Sequence, residues 1–127
     1  MDITKALIVD TPHIDRILSG QKTWELRSTA TKMRGQVALI RKGSGQVVGT
    51  VEIADSVGPL TEAQMLDNTT RHLVTVDRIK NGEVAKYKHA WVLKHPKPLA
   101  KPVPYNHPNG AVIWVNLQPD VVARISA

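Results

Sequence analysis

The sequence predicts an α+β domain built on a small, curled, mostly antiparallel sheet or barrel. Three observations carry that prediction. The apolar patterns run in the order strand, helix, several strands, helix, strands. That order matches neither a repeated βαβ unit nor a pure sandwich. The chain has 127 residues, which suits one domain over residues 1–127 with two or three flanking helices.

The elements follow in turn. Ala6-Leu7-Ile8-Val9 is a short apolar run and reads as a buried strand. Thr11 then reads as a helix N-cap with Pro12 at the first helical position; Ile14, Ile17 and Leu18 share a helical face, and Gly20 stops the helix. Residues 23–28 alternate as a strand. Residues 36–42 and 47–53 form two more, joined through Gly43-Ser44-Gly45 as a hairpin. Thr61 caps a second helix running to about residue 72, with Gln64 placed to complete a capping box. Residues 75–88 are polar and fit no single pattern. Residues 89–93 read as a strand. Residues 94–108 hold five of the eight prolines and read as an extended, irregular arm. Residues 111–117 give a last strong strand, and Pro119-Asp120 starts a short helical turn.

Composition limits function. An apolar content of 42% is ordinary for a globular chain. There is no cysteine, which excludes disulfides, thiolate metal sites and cysteine nucleophiles. The five histidines show no metal-ligand spacing, so neither a metal nor a cofactor is expected. No apolar run is long enough to span a membrane, and the first residues lack a signal-peptide layout, so a cytoplasmic setting is expected. Lysine and arginine number 17 against 11 acids, a formal charge of +6. Such an excess draws polyanions such as RNA.

The segment Gly20-Gln21-Lys22-Thr23-Trp24-Glu25-Leu26-Arg27 carries the strongest signal. On a strand, residues two apart share a face. Trp24 and Leu26 therefore point to the core, and Thr23, Glu25 and Arg27 point the other way, with Lys22 free at the turn. Lys22 and Arg27 suit a phosphate, and Glu25 suits the orientation of the lysine or the removal of a proton. On spacing alone an exposed Glu-Arg pair, worth under about 1 kcal/mol, is the commoner outcome.

Gly20, Lys22, Glu25 and Arg27 together form Gly-x-Lys-x-x-Glu-x-Arg, which resembles the signature of the ASCH domain family, whose fold is a PUA-like β-barrel. The preceding Pro12-His13-Ile14-Asp15-Arg16-Ile17-Leu18-Ser19 resembles the family's leading helix, and Arg34-Gly35-Gln36-Val37-Ala38-Leu39-Ile40-Arg41 the strand after the motif. Val48-Gly49-Thr50-Val51-Glu52-Ile53 and Gly58-Pro59-Leu60-Thr61 continue it. Tyr105-Asn106-His107-Pro108 followed by Gly110-Ala111-Val112-Ile113-Trp114 resembles the ending of one bacterial subgroup. The resemblance implies a cleft for RNA or a modified nucleoside. Some members are described as ribonucleases. Others remove the acyl group of N4-acetylcytidine with a motif lysine and a threonine three residues later; Lys22 matches that lysine, and Glu25 stands at the threonine's place.

The residues expected to carry function are therefore Lys22 and Glu25 for catalysis. Arg27, Thr23, Arg41, Lys42, Ser44, Tyr105 and His107 are expected to bind RNA or a nucleotide. Arg41, Lys42 and Ser44 flank flexible backbone suited to phosphate. Tyr105 and His107 sit in a loop that suits base stacking. A module that grips RNA without catalysis is the alternative.

Overall fold

A computed structural model describes residues 3–126, so both ends of the expected 1–127 unit lie outside the described residues. Six strands form one sheet in the order β2-β5-β4-β3-β1-β6. They are β1 (Lys5–Val9), β2 (Trp24–Arg27), β3 (Gly35–Arg41), β4 (Gln46–Val57), β5 (His89–Pro104) and β6 (Trp114–Asn116). Only β1 and β3 pair in parallel; the other pairs are antiparallel. The two long strands, β4 and β5, slip register three times along their ladder. Such bulges bend and twist a sheet, which curls this one into a half-barrel.

The core explains the apolar runs. In β1, Ala6 and Ile8 pack in one cluster while Leu7 and Val9 pack in another; in β3, Ala38 and Ile40 are likewise separated from Val37 and Leu39. Both central strands are thus buried on two faces, which produces continuous rather than alternating hydrophobicity. The first cluster is closed by Val121 and Ile125 of α5 (Pro119–Ser126). The second takes Ile14 and Ile17 of α1 (His13–Leu18). Helix α1 packs so closely that a Cβ on Gly49 of β4 would run into the Leu18 side chain and lie 2.9 Å from the Lys97 carbonyl. A third cluster lies beside β2, where Trp24 and Leu26 pack with Leu60, Met65, Val74 and Ile79. Those residues come from α2 (Glu62–Asp67), α3 (Thr69–His72), α4 (Val76–Lys80) and their connections.

Several boundaries differ from expectation. Among the described residues five helices flank the sheet rather than two or three, because the segment from 61 to 72 breaks at Asn68 into α2 and α3 and the ambiguous polar segment supplies α4. Thr61 and Gln64 do form the capping box. Thr11 is not the cap of α1: Pro12 takes that place without a side-chain bond, and the Thr11 hydroxyl accepts from Arg41 at 3.0 Å. Gly20 ends α1 at φ +85°, a left-handed conformation that costs glycine little. The proline-rich arm is a paired strand as far as Pro104. Beyond Leu93 β5 bonds to β4 alone, and strands with a free edge tolerate prolines. The last strand shrinks to Trp114–Asn116, with Val112 and Ile113 exposed ahead of it.

Candidate functional site

The site lies where the edge strand β2 faces β1 across the open side of the half-barrel. Period-two alternation sends Trp24 and Leu26 to the helical cluster and turns Glu25 and Arg27 to the opposite face, as expected. The exposed ion pair that spacing alone suggested is not what forms. Glu25 is 7% exposed and Lys22 only 2%. Glu25 Oε2 accepts from the Arg27 guanidinium at 2.9 Å, and Glu25 Oε1 lies 3.8 Å from Lys22 Nζ. One carboxylate thus stands between two cations.

Each member is fixed by a distant segment. Lys22 is not free at a turn: its amide donates to the Arg16 carbonyl and its Nζ donates to the His72 carbonyl at 2.7 Å. His72 is itself locked, with Nε2–H donating to the Met65 carbonyl at 2.7 Å and Nδ1 accepting from the Val74 amide at 3.0 Å. Arg27 donates to the Ile8 carbonyl of β1 at 2.9 Å, so its guanidinium spans the gap between β2 and β1. It also lies over the Trp91 ring, 5.4 Å from the centroid, and Trp91 stacks on Trp114 at 5.8 Å. Trp91 Nε1 donates to the Thr29 carbonyl.

These groups floor a cavity of about 490 Å³. Its walls carry four cationic side chains (Lys22, Arg27, Lys42 and Arg78) against two carboxylates, Asp10 and Glu25. His13, Tyr87 and the exposed Val112 complete a mixed polar and apolar lining. Arg78 is also paired with Glu83, and Lys42 lies 3.8 Å from Asp10. Burial pushes the Lys22 ammonium below the usual lysine range, and the Glu25 charge opposes the shift. Burial, aided by the Lys22 charge, holds the His13 imidazole below its usual value, which favours its neutral form. A neutral imidazole offers both a donor and an acceptor.

The other expected residues divide. Lys42 lines this cavity. Tyr105 and His107 line an adjoining one with Lys42. Thr23 is exposed and lies away from the cavity, and its backbone joins β2 to Arg71 and Leu93. Arg41 is taken up by Asp15 through two bonds of 2.7 and 3.0 Å, which hold the Asp15 carboxyl below its usual range. Ser44 donates to the Arg41 carbonyl within the hairpin turn. Thr23, Arg41 and Ser44 thus stand outside the cavity, serving the fold locally. His13, His72, Arg78 and Tyr87 also belong to the site, and nothing in the sequence singles them out for it. His72 and Arg78 have visible local signals, a helix end after Thr61 and an N-cap at Thr75, but nothing local points them at Lys22. Among the described residues no group of three His, Asp or Glu side chains is placed to hold a metal ion.

Known proteins share this fold. The family model for the ASCH domain matches residues 7–103. The crystal structure of ASCH from Zymomonas mobilis superimposes with a TM-score of 0.70 at 12% identity, covering 96% of this chain and 92% of that one. A tyrosine-to-phenylalanine variant of that protein gives 0.70 at 12% identity, with 96% and 95% covered. A serine-to-alanine variant gives 0.66 at 12% identity, with 99% and 97% covered. No curated protein matches the sequence. The half-barrel is a PUA-like fold, the match extends from β1 through most of β5, and the chain belongs to the ASCH domain family.

Proposed function

We propose that this protein binds RNA or a modified nucleoside in the cavity beside β2. The supporting observation is the buried Lys22–Glu25–Arg27 network under a cation-rich cleft. The cavity falls within the roughly 300–1,000 Å³ typical of small-ligand sites. In this reading Arg27, with N–H groups beyond those given to Glu25 and Ile8, grips a phosphate or carbonyl oxygen. Lys22 does the same with the protons not given to His72. His13 and Glu25 meet the polar edge of a base, and Lys42 and Arg78 meet the backbone. The net charge of +6 and the family's association with nucleic acid support the same ligand class. A cytoplasmic setting goes with it; no helix among the described residues is long and apolar enough to cross a membrane.

A second reading adds hydrolysis, and the depressed Lys22 favours it. The cavity lining contains no serine or threonine, so the hydroxyl nucleophile of the deacylating members has no counterpart there. Water would then attack the acyl carbon directly. Glu25 takes the water proton, the Lys22 ammonium polarises the carbonyl, the C–N bond breaks, and Glu25 returns the proton to the freed amine.

The test measures anisotropy of a labelled single-stranded RNA and release of cytidine from N4-acetylcytidine, with wild type and Lys22→Ala. Wild type binds the RNA, and Lys22→Ala loses at least about tenfold in affinity with its circular dichroism unchanged. Failure of wild type to bind either RNA or the nucleoside removes the proposal. Turnover that vanishes in Lys22→Ala establishes the hydrolytic reading; binding without turnover removes it and leaves the gripping module.

A further inference from the structure

The cavity beside β2 does not end at its own walls. A second cavity of about 440 Å³ adjoins it and shares three residues with it: Ile8, Lys42 and Val112. The rest of its lining comes from the β3–β4 turn and from Tyr105, His107 and Ala111. The two together form one groove, with Lys42 and Val112 at the junction.

The halves offer different chemistry. In the first, polar atoms of Lys22, Glu25, Arg27 and His13 face the space. In the second, the polar side-chain atoms of Tyr105 and His107 are already used. The Tyr105 hydroxyl donates to His107 Nδ1 at 2.7 Å, and His107 Nε2–H donates to the Ala111 carbonyl at 2.9 Å. That chain of bonds fixes both rings, whose centroids are 5.7 Å apart. What remains for a ligand is ring surface, and ring surface holds a base by stacking without reading its edge. At the junction the Lys42 ammonium is mostly solvent-exposed, and Val112 is 71% exposed. A cation suits a bridging phosphate, and an exposed apolar side chain suits the space between two unstacked bases.

Resting on the proposed RNA-binding reading, we infer that the groove takes two consecutive nucleotides of a single strand. One nucleotide enters the Lys22–Glu25–Arg27 cavity and is read by hydrogen bonds. Its neighbour lies on Tyr105. The phosphate between them meets Lys42, and Val112 separates the bases. The ligand is therefore an oligonucleotide, and a free nucleoside fills only half of the groove.

Calorimetric titration of the intact protein with mixed-base 5′-mononucleotides and mixed-base dinucleotides tests this. Dinucleotides bind at least about tenfold more tightly than mononucleotides, the gain one stacked base gives. Tyr105→Ala brings the ratio of the two affinities to about one. Tyr105→Phe keeps the ring but loses the bond to His107, and it keeps the ratio. Thermal melts of both variants establish that they fold; if Tyr105→Ala does not, Tyr105→Leu, which keeps an apolar side chain there without a ring, takes its place and lowers the ratio. Equal affinity of wild type for the two ligands overturns the inference and leaves the nucleoside site standing. No binding of either ligand, or of a longer single-stranded RNA, overturns the site itself.

Discussion

Glu25 offsets the repulsion between a buried Lys22 and a partly buried Arg27, and its loss is the costliest single change in the network. Glu25→Gln leaves Lys22 and Arg27 facing each other without a counter-charge. Uncompensated buried charge costs about 3 kcal/mol at the low end, which suits an Arg27 that keeps partial access to solvent. Lys22→Met leaves a neutral Glu25–Arg27 pair and one unpaired His72 carbonyl, a loss of about 1–2 kcal/mol. Urea unfolding of the two variants checks the order; a Lys22→Met protein less stable than Glu25→Gln contradicts it. The sequence shows that Glu25 and Arg27 share a face, because period-two alternation is local. It does not show their burial. That comes from Ile8, His72 and Trp91, which lie up to 66 residues from Glu25 and arrive only with the fold.

Among the elements, the helical segment before α4 positions Lys22, and it does so through one imidazole. His72 closes α3 from inside and serves the site only while neutral, since Nδ1 must accept from the Val74 amide. Burial holds its pKa below the usual value of about 6.5. Below that value the unfolded chain binds a proton that the folded chain resists, so stability falls as pH falls. His13, shifted the same way, adds to the slope. Denaturant unfolding at a series of pH values between about 7 and 5 shows the loss, and His72→Gln reduces the slope. A slope unchanged in that variant rules the histidine out as its source. The break at Asn68 that creates α3 is not legible from a capping box, which marks where a helix starts and not where it stops. The arm after Leu93 is misread for a related reason. Prolines mark an irregular segment unless one edge of the strand is free, and edge position is a property of the whole sheet.

At the scale of the molecule, the order of strands and helices and the excess of positive charge were both legible, since each is a sum over many residues. The cleft was not, because it exists only where β2 and β1 face each other across the open side. Charge predicts how the cleft behaves. Contact with two phosphates of a single strand gives a plot of log affinity against log salt with a slope of about −1.4, and Lys42→Ala brings it to about −0.7. Anisotropy titrations across a potassium chloride series measure both slopes; a flat response in wild type contradicts any electrostatic hold on RNA.

The guanidinium of Arg27 rests on Trp91, and Trp91 stacks on Trp114 with planes only 14° apart. Two indoles so close and so nearly parallel couple their electronic transitions, and the cation above them sets the local field. A phosphate or carbonyl that recruits Arg27 changes that field without touching either ring. The protein therefore contains its own optical reporter. Near-ultraviolet circular dichroism and tryptophan emission follow occupancy of the cleft with no label attached, while Trp24, packed among the helices on the other face of β2, supplies the background.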